Sequence, residues 1–314
     1  MPTHLNDRAW KLCNEIEARA EHWRIARQRL SSGCLCWDLG VRATGSLAAG
    51  LHLARVCLAD LATVALHPTD HLPGTGWSVS VVTDDPFRAC MASQYAGWKL
   101  HAGEFFAMGS GPMRAAAGSE AILGGYHEAS DCAVGVLESR QFPTDEIVHD
   151  IASKCGVEPT RLCLLVAPTA SQAGNLQVVA RSVETALHKL HDLGFPLDSI
   201  TSAAGNAPLP PVAKNDLAGI GRTNDAILYG ASVTLWTTAD DDAVAAIIDH
   251  VPSCSSSAFG RPFAELFAEC GHDFYKLDPH LFSPASVRII SLKSGRVFQA
   301  GAVRPDILTQ SFCA

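Results

Sequence analysis

The sequence lacks the short signatures by which many enzymes declare themselves, and each lack excludes something. Eleven of the 314 residues are cysteine, yet no pair is spaced C-x-x-C, and Cys34 and Cys36 form only C-x-C. An odd number at irregular positions suits neither a disulfide framework nor a structural zinc site. Free thiols in a reducing compartment are expected instead, most of them buried as small hydrophobes. There are thirteen histidines but no H-E-x-x-H. His67 and His71 stand in a Pro/Gly-rich loop, and His188 and His191 are three apart, so no catalytic metal is expected. A G-x-S-x-G elbow is missing and Ser253–Ser257 lacks the flanking glycines, which removes that type of serine hydrolase. P-loop and dinucleotide fingerprints are absent too. No repeat of fixed period is visible, so solenoids and propellers fall away.

Charge is also scarce. Charged residues are 18% of the chain and the net charge is −8, without the basic footprint of a nucleic-acid protein. A small or cationic substrate is compatible with that balance, which otherwise speaks to solubility and steering. Met1–Trp10 has early charges and no apolar stretch, so no secretory signal is expected. The most apolar long window, Ser46–Leu66, contains Arg55 and Asp60 and reads as a buried or amphipathic helix, not a membrane span. What is present is a 47% apolar composition, enough for a sizeable core and for two ordinary domains or one large one.

Periodicity gives a mixed α/β order. Leu5–Leu30 reads as a long amphipathic helix, capped by Asn6 or Asp7, with Trp10, Cys13, Ile16 and Ala20 on its apolar stripe. Cys34–Leu39 is a short strand, and Ser46–Leu61 a helix capped by Thr44 or Ser46. Thr63–Leu66 and Ser78–Thr83 are strands around the irregular loop His67–Thr75. Asp84-Asp85-Pro86 starts a helix running to Gly97 or Lys99. Glu104–Met108 is a strand. Cys132–Glu138 and Leu162–Ala167 are continuous apolar runs suited to strands buried on both faces. With the helix Thr144–Cys155 between them they predict a locally parallel pair. Ile200–Ala203 and Ala226–Thr238 read as strands, Asp240–His250 and Pro262–Glu269 as helices. Val287–Leu292 and Val297–Ala300 form a hairpin. No low-complexity linker splits residues 1–314, so the chain reads as one compact unit of two intimately joined α/β domains. The boundary is unmarked, and more than one crossing is allowed.

Gly174–Leu190 organises the rest. Leu176, Val179, Val183, Leu187 and Leu190 recur at three- and four-residue steps, one face of an amphipathic helix. Gln177, Arg181, Glu184 and His188 recur at the same steps on another face, where such residues are neighbours. That face is either an ordinary solvated Arg–Glu decoration or the wall of a cleft.

Three further stretches carry polar groups. Gly109–Glu120 turns on two glycines into a helix with Pro112 at its start and Arg114 one turn in. It can bind an anion or a carbonyl, or serve as a plain connector. In Met91–Leu100, Ser93, Gln94, Tyr95, Trp98 and Lys99 either line a flat aromatic ligand or form a helix end packed on the core. Arg222, Thr223, Asn224 and Asp225 precede an apolar run, as ligand groups at a strand mouth or as a simple turn.

ASQYAGWKL (Ala92–Leu100), FFAMGSGPMRA (Phe105–Ala115), VAPTASQAGNLQVVARSVETALHKL (Val166–Leu190), GRTNDAILYG (Gly221–Gly230) and DFYKLDPHLFSPA (Asp273–Ala285) occur in this order. SLKSGRVFQAG (Ser291–Gly301) follows. Together they closely resemble methenyltetrahydromethanopterin cyclohydrolase over nearly the whole chain. The resemblance implies two α/β domains side by side with a deep pocket between them, assembled as a homotrimer in the cytoplasm. It implies hydrolysis of the methenyl bridge of 5,10-methenyltetrahydromethanopterin to the N5-formyl compound, with no metal and no second cofactor. It matches the acting Arg and Glu to Arg181 and Glu184. Substrate contacts are expected from Gln94, Lys99, Arg114, Asn224, Asp225 and Phe282, since a pterin needs polar partners along its edge and an apolar wall on its face. Phe282 suits the core equally well. Many cysteines and few lysines argue against a hot environment, and so favour formaldehyde oxidation over methanogenesis. Another reduced pterin as substrate, or a non-catalytic pterin binder, are the alternatives.

Overall fold

The computed structural model describes residues 4–70 and 72–313; His71 lies outside the described residues. Twelve strands are found among them: β1 (Ala26–Arg29), β2 (Leu35–Asp38), β3 (Ala62–Pro68), β4 (Trp77–Thr83), β5 (Trp98–Ala102), β6 (Phe105–Ser110), β7 (Ala133–Glu138), β8 (Leu162–Ala167), β9 (Ile200–Pro208), β10 (Ser232–Thr237), β11 (Ser286–Ser291) and β12 (Val297–Gly301). The α-helices are α1 (Leu5–Ile16), α2 (Ala20–Trp23), α3 (Leu47–Cys57), α4 (Met113–Ala117), α5 (Asp145–Cys155), α6 (Gln172–Val179), α7 (Ser182–Asp192), α8 (Asp216–Leu228), α9 (Asp241–Ile247), α10 (Phe263–Glu269) and α11 (Pro305–Cys313).

These elements form a mixed α/β protein with two six-stranded sheets. The chain divides into two compact units, Met1–Ala62 with Arg88–Gln177, and Thr63–Phe87 with Val178–Ala314.

The first unit holds the sheet β1-β2-β8-β7-β6-β5. Its centre, β2, β8 and β7, is parallel, as the β-α-β order predicts, with Ala133 opposite Leu162. Both central apolar runs are buried on two faces. Cys163, Leu165 and Ala167 pack with α1 and α3, whereas Leu162, Leu164 and Val166 pack with α5. Ser46, one of the two expected caps, holds α3, its Oγ accepting from the Ala49 N–H at 3.0 Å, and Thr144 Oγ1 caps α5 by accepting from the Ile147 N–H at 3.4 Å, satisfying donors that a helix start leaves free. Gly156, at φ 67°, closes α5.

The second unit holds the sheet β12-β11-β10-β9-β4-β3. Here only β10 and β11 are shown parallel; the β9–β10, β4–β9 and β11–β12 pairs are antiparallel. The last pair is the hairpin read from the sequence.

Six expectations are corrected. The first helix does not reach Leu30: Arg24 turns left-handed at φ 54° and Ala26–Arg29 joins β2 as a strand. The Arg24 and Ile25 N–H groups close the helix on Glu21 O and Ala20 O, both at 3.0 Å, as a left-handed residue after a helix allows. Nor does Asn6 or Asp7 cap it. The Leu5 N–H is taken by Glu128 Oε2 at 2.6 Å, while the Asn6 amide is buried between Pro112 O and the Val134 N–H.

The second helix stops at Cys57, because Ala59 and Asp60 are left-handed at φ 51° and 54°. Arg8 donates to both of their carbonyls, to Ala59 O at 2.9 Å and Asp60 O at 2.6 Å, holding a conformation costly for residues with a Cβ. The helix expected after Pro86 is a π-helix, Phe87–Gln94, and Lys99 lies beyond it on β5.

Gly174–Leu190 is not one helix. The chain turns at Ala180 and Arg181, where the Arg181 N–H reaches Val178 O, three residues back. Each half packs in its own unit: Ala173 and Leu176 of α6 lie against Gly50, and Ser182 of α7 against Gly205 on β9. Finally, Ala226–Thr238 is not a single strand. Asn215 caps α8 through the Ala218 N–H at 2.9 Å, and the helix runs to Leu228 before β10 starts. A helix end abutting a strand start gives one apolar run with no period of its own.

Candidate active site

The break after α6 gives α7 a fresh N-terminus, and the Arg–Glu pair stands on it. Arg181 is the residue flanking the helix, at φ −88° and ψ 8°, and Glu184 lies in the first turn. Both side chains are buried, each 6% exposed. The Arg181 carbonyl accepts the Thr185 N–H at 2.9 Å and the Thr185 hydroxyl at 2.8 Å, fixing the first turn. A carboxylate in a first helical turn faces the positive end of the helix dipole, worth about 0.3–1 kcal/mol. Had the helix continued unbroken, Glu184 would sit mid-helix without that field. The solvated-face reading therefore does not describe these two residues.

The other residues on that spacing separate. His188 is about a quarter exposed and sits 4.0 Å from Asp192. Gln177 lies on α6 and is fully buried; its amide nitrogen donates to Cys57 Sγ at 3.5 Å, and its carbonyl oxygen meets no donor among the described residues.

In the second unit, Asn224 and Asp225 lie within α8, not at a strand mouth. The Asn224 amide folds back on Ile220 O at 2.8 Å. Asp225 is fully buried, and its Oδ1 accepts the Phe263 N–H at the start of α10, at 2.8 Å. Burial pushes its carboxyl up to about 7, with Glu265 adding to the rise, against the pull of the Ser311 hydroxyl and the Phe263 amide. Phe282 is half-buried beside Phe263, with ring centroids 5.9 Å apart, and Phe274 is 6.2 Å from it. Phe282 thus belongs to an aromatic cluster and keeps a partly open flank.

Gln94 and Arg114 come together in the first unit, around the end of the π-helix; Lys99 is exposed on β5. Gln94 is fully buried and ends the π-helix. Arg114 is fully buried as well and donates to Met91 O at 2.8 Å and to Glu120.

Lys189 is a buried group that the sequence reading passed over. Its ammonium donates to His280 Nδ1 at 2.9 Å, to His280 O at 2.8 Å and to Ser255 Oγ at 3.3 Å. Burial pushes it down to about 8, against the attraction of Asp278 and Asp192. Its one sequence signal is the Asp278–Leu281 turn that it holds. Among the described residues no three His, Cys, Asp or Glu side chains cluster as metal ligands. Every cysteine among them is a free thiol, and burial drives Cys34 up to about 12.

Comparison with known proteins places this architecture among cyclohydrolases: residues 4–312 match the family Cyclohydrolase (MCH). The chain is 51% identical over 288 residues to the methenyltetrahydromethanopterin cyclohydrolase of Rhodopirellula baltica, covering 90% of this chain and 86% of that one. It is 43% identical over 303 residues to the protein of the same name from Methylobacillus flagellatus, covering 96% and 93%. Identity to that of Methanococcoides burtonii is 40% over 314 residues, covering 98% of each. The chain belongs to the methenyltetrahydromethanopterin cyclohydrolase family.

Proposed function

We propose that this chain hydrolyses 5,10-methenyltetrahydromethanopterin to N5-formyltetrahydromethanopterin, reversibly, with Glu184 activating the water and Arg181 supporting it. Family membership supports the reaction. The observation that carries the residue assignment is the burial of Arg181 and Glu184 together at the N-terminus of α7.

The chemistry asks for one carboxylate. The bridge is a cationic carbon held between two nitrogens. Water adds to it and gives up a proton, forming a neutral tetrahedral adduct. The bond from that carbon to N10 then breaks as the adduct's hydroxyl loses its proton to solvent and becomes the formyl carbonyl, and N10 takes a proton. Overall one water is consumed and one proton released. Glu184 accepts the proton of the attacking water and returns one to N10. Its negative charge also favours the bound cation. Arg181 supports the carboxylate and orients it. Positioned acid–base help of this kind is worth about 10²–10⁴ in rate.

Substrate contacts are assigned to Gln94, Lys99, Asn224, Asp225 and Phe282. The reaction needs no metal and no second cofactor, and the enzyme works as a cytoplasmic homotrimer. The many cysteines and few lysines support a role in formaldehyde oxidation. Among the described residues no helix is long and apolar enough to cross a membrane.

The test is the loss of methenyltetrahydromethanopterin absorbance, with and without a chelator, against methenyltetrahydrofolate. Fast chelator-insensitive turnover of the methanopterin compound, lost by about 10²–10⁴ in Glu184→Gln, is expected. Preference for the folate changes the substrate; binding without turnover makes the chain a pterin carrier. A Glu184→Gln enzyme at wild-type rate refutes the base assignment. Sedimentation equilibrium tests the trimer.

A further inference from the structure

The π-helix Phe87–Gln94 is held from outside at Arg88, Met91 and Ser93. Wide π turns are rare and concentrate where function needs a side chain re-aimed. Here the Tyr95 N–H returns to Cys90 O, five residues back, at 2.8 Å. Ser93 Oγ donates to Cys57 O at 2.6 Å, and Ser93 O accepts the Gly111 N–H at 2.8 Å. At the start of the π-helix, Arg88 Nε donates to Tyr126 OH at 3.2 Å.

Arg114 closes the other end. Its Nη1 donates to Met91 O at 2.8 Å, its Nε to Glu120 Oε1 at 2.9 Å, and its Nη2 pairs with Glu120 Oε2. Its guanidinium lies 4.8 Å from the centroid of the Tyr95 ring. Two glycines make room for this stack. A Cβ at Gly97 would lie 2.3 Å from Tyr95 Cε1 and 2.9 Å from Glu120 Oε2. Gly111 turns at φ 92° against the β7 backbone, so that Pro112 can start α4 and deliver Arg114. Tyr95, Gly97, Gly111, Arg114 and Glu120 are therefore one device, although they come from two separate sequence motifs.

Arg114 is fully buried and Glu120 only partly so; an ion pair taken out of water seldom adds stability over an apolar filling of the same volume, and its best-attested use is to specify one arrangement. The arrangement specified here is the path of Met91–Tyr95, with Ser93 and Gln94 at its end. We propose that Arg114 is a positioning residue, which locks the end of the π-helix so that Gln94 is presented to the substrate, and that it does not itself touch the substrate. This rests on the cyclohydrolase reading and on Gln94 as a substrate contact.

The experiment is a double-mutant cycle in the hydrolysis assay with Arg114→Lys and Gln94→Ala, together with amide hydrogen exchange of the peptide covering 87–95. Lysine keeps the charge but cannot span Met91 O, Glu120 and the Tyr95 face at once. Arg114→Lys raises KM about ten-fold, the scale of one hydrogen bond to substrate, with kcat changed by no more than about two-fold. Exchange in 87–95 quickens, and in the Gln94→Ala background Arg114→Lys adds nothing further. Glu120→Gln, the milder variant should Arg114→Lys not fold, moves KM in the same direction. Independent, multiplying effects of the two substitutions, or an unchanged KM in Arg114→Lys, overturn the proposal. A KM unchanged in Gln94→Ala overturns it at its base. A wild-type protein that does not turn over the substrate refutes the cyclohydrolase reading instead, and the exchange measurement still reports whether Arg114 holds the π-helix.

Discussion

Asp225→Asn tests the burial logic of the second unit quantitatively. The carboxyl is fully enclosed on α8, where the Phe263 N–H donates to Oδ1 and the Ser311 hydroxyl adds its pull. Desolvation raises it from 3.8 to about 7. A carboxyl raised in the folded state binds its proton more tightly folded than unfolded. Its contribution is therefore fully present below about pH 4 and is lost as pH rises towards 7. The rise of about three pKa units corresponds to on the order of 4 kcal/mol of stability surrendered between those limits. Asparagine keeps a carbonyl for the Phe263 N–H and does not titrate. Urea unfolding followed by circular dichroism at pH 5 and pH 8 is the assay. The wild type loses stability relative to Asp225→Asn over that interval. Stability curves that stay parallel from pH 4 to pH 8 would show that Asp225 titrates as a solvated carboxylate, and would refute the account of its burial.

Three further outcomes follow from particular contacts. Gly205→Ala places a Cβ 2.4 Å from Ser182 Oγ and 2.9 Å from Val183 Cγ2, on a strand paired on both sides. It costs about 1–3 kcal/mol and lowers kcat by tilting the first turn of α7, read by urea midpoint and turnover together; an unchanged kcat would mean that the seat of α7 does not set the site. His52 packs at 4.8 Å from Trp23 with Nε2 on Leu12 O at 3.1 Å, and burial lowers its pKa. The unfolded chain then takes the proton first, so stability falls as pH drops below about 6.5, and His52→Gln flattens that acid limb in unfolding curves at pH 5 and 7. Lys189→Met removes three donors from the Ser255 and His280 loops, which speeds amide exchange in 278–283 and costs about 1–3 kcal/mol; unchanged exchange there would show that Lys189 does not tether the turn.

The sequence was most readable where local chemistry decides the outcome. Ser46 and Thr144 cap the helices they precede, and the apolar runs of β7 and β8 are buried on both faces as their composition requires. It was least readable where tertiary contacts decide. Ala180-Arg181 contains no Gly or Pro, so nothing local marks the break between α6 and α7. A π-helix uses the same residues as an α-helix, and Phe87–Gln94 is held by partners far along the chain. The spacing of Arg181 and Glu184 was legible, but not the new helix N-terminus that gives Glu184 its field. Arg114 was legible as a polar residue after a glycine turn. What it holds depends on Met91 O and Glu120, which spacing cannot bring together. The crossings at 62/63, 87/88 and 177/178 carry no linker composition, because each lies in or beside a regular element.

Those crossings also dictate an order of events on the ribosome. β3 and β4 emerge early, but the strand on which β4 pairs, β9, begins only at Ile200. Roughly 120 residues separate the two, on the order of ten seconds of synthesis. During that interval the first unit receives all of its remaining chain, while the apolar edge of β4, WSVSVVT, has no partner strand on that side. An unpaired edge of this kind is a template for association with other chains. The nascent protein carries an open edge throughout that window, and slowing translation between Thr83 and Ile200 prolongs it.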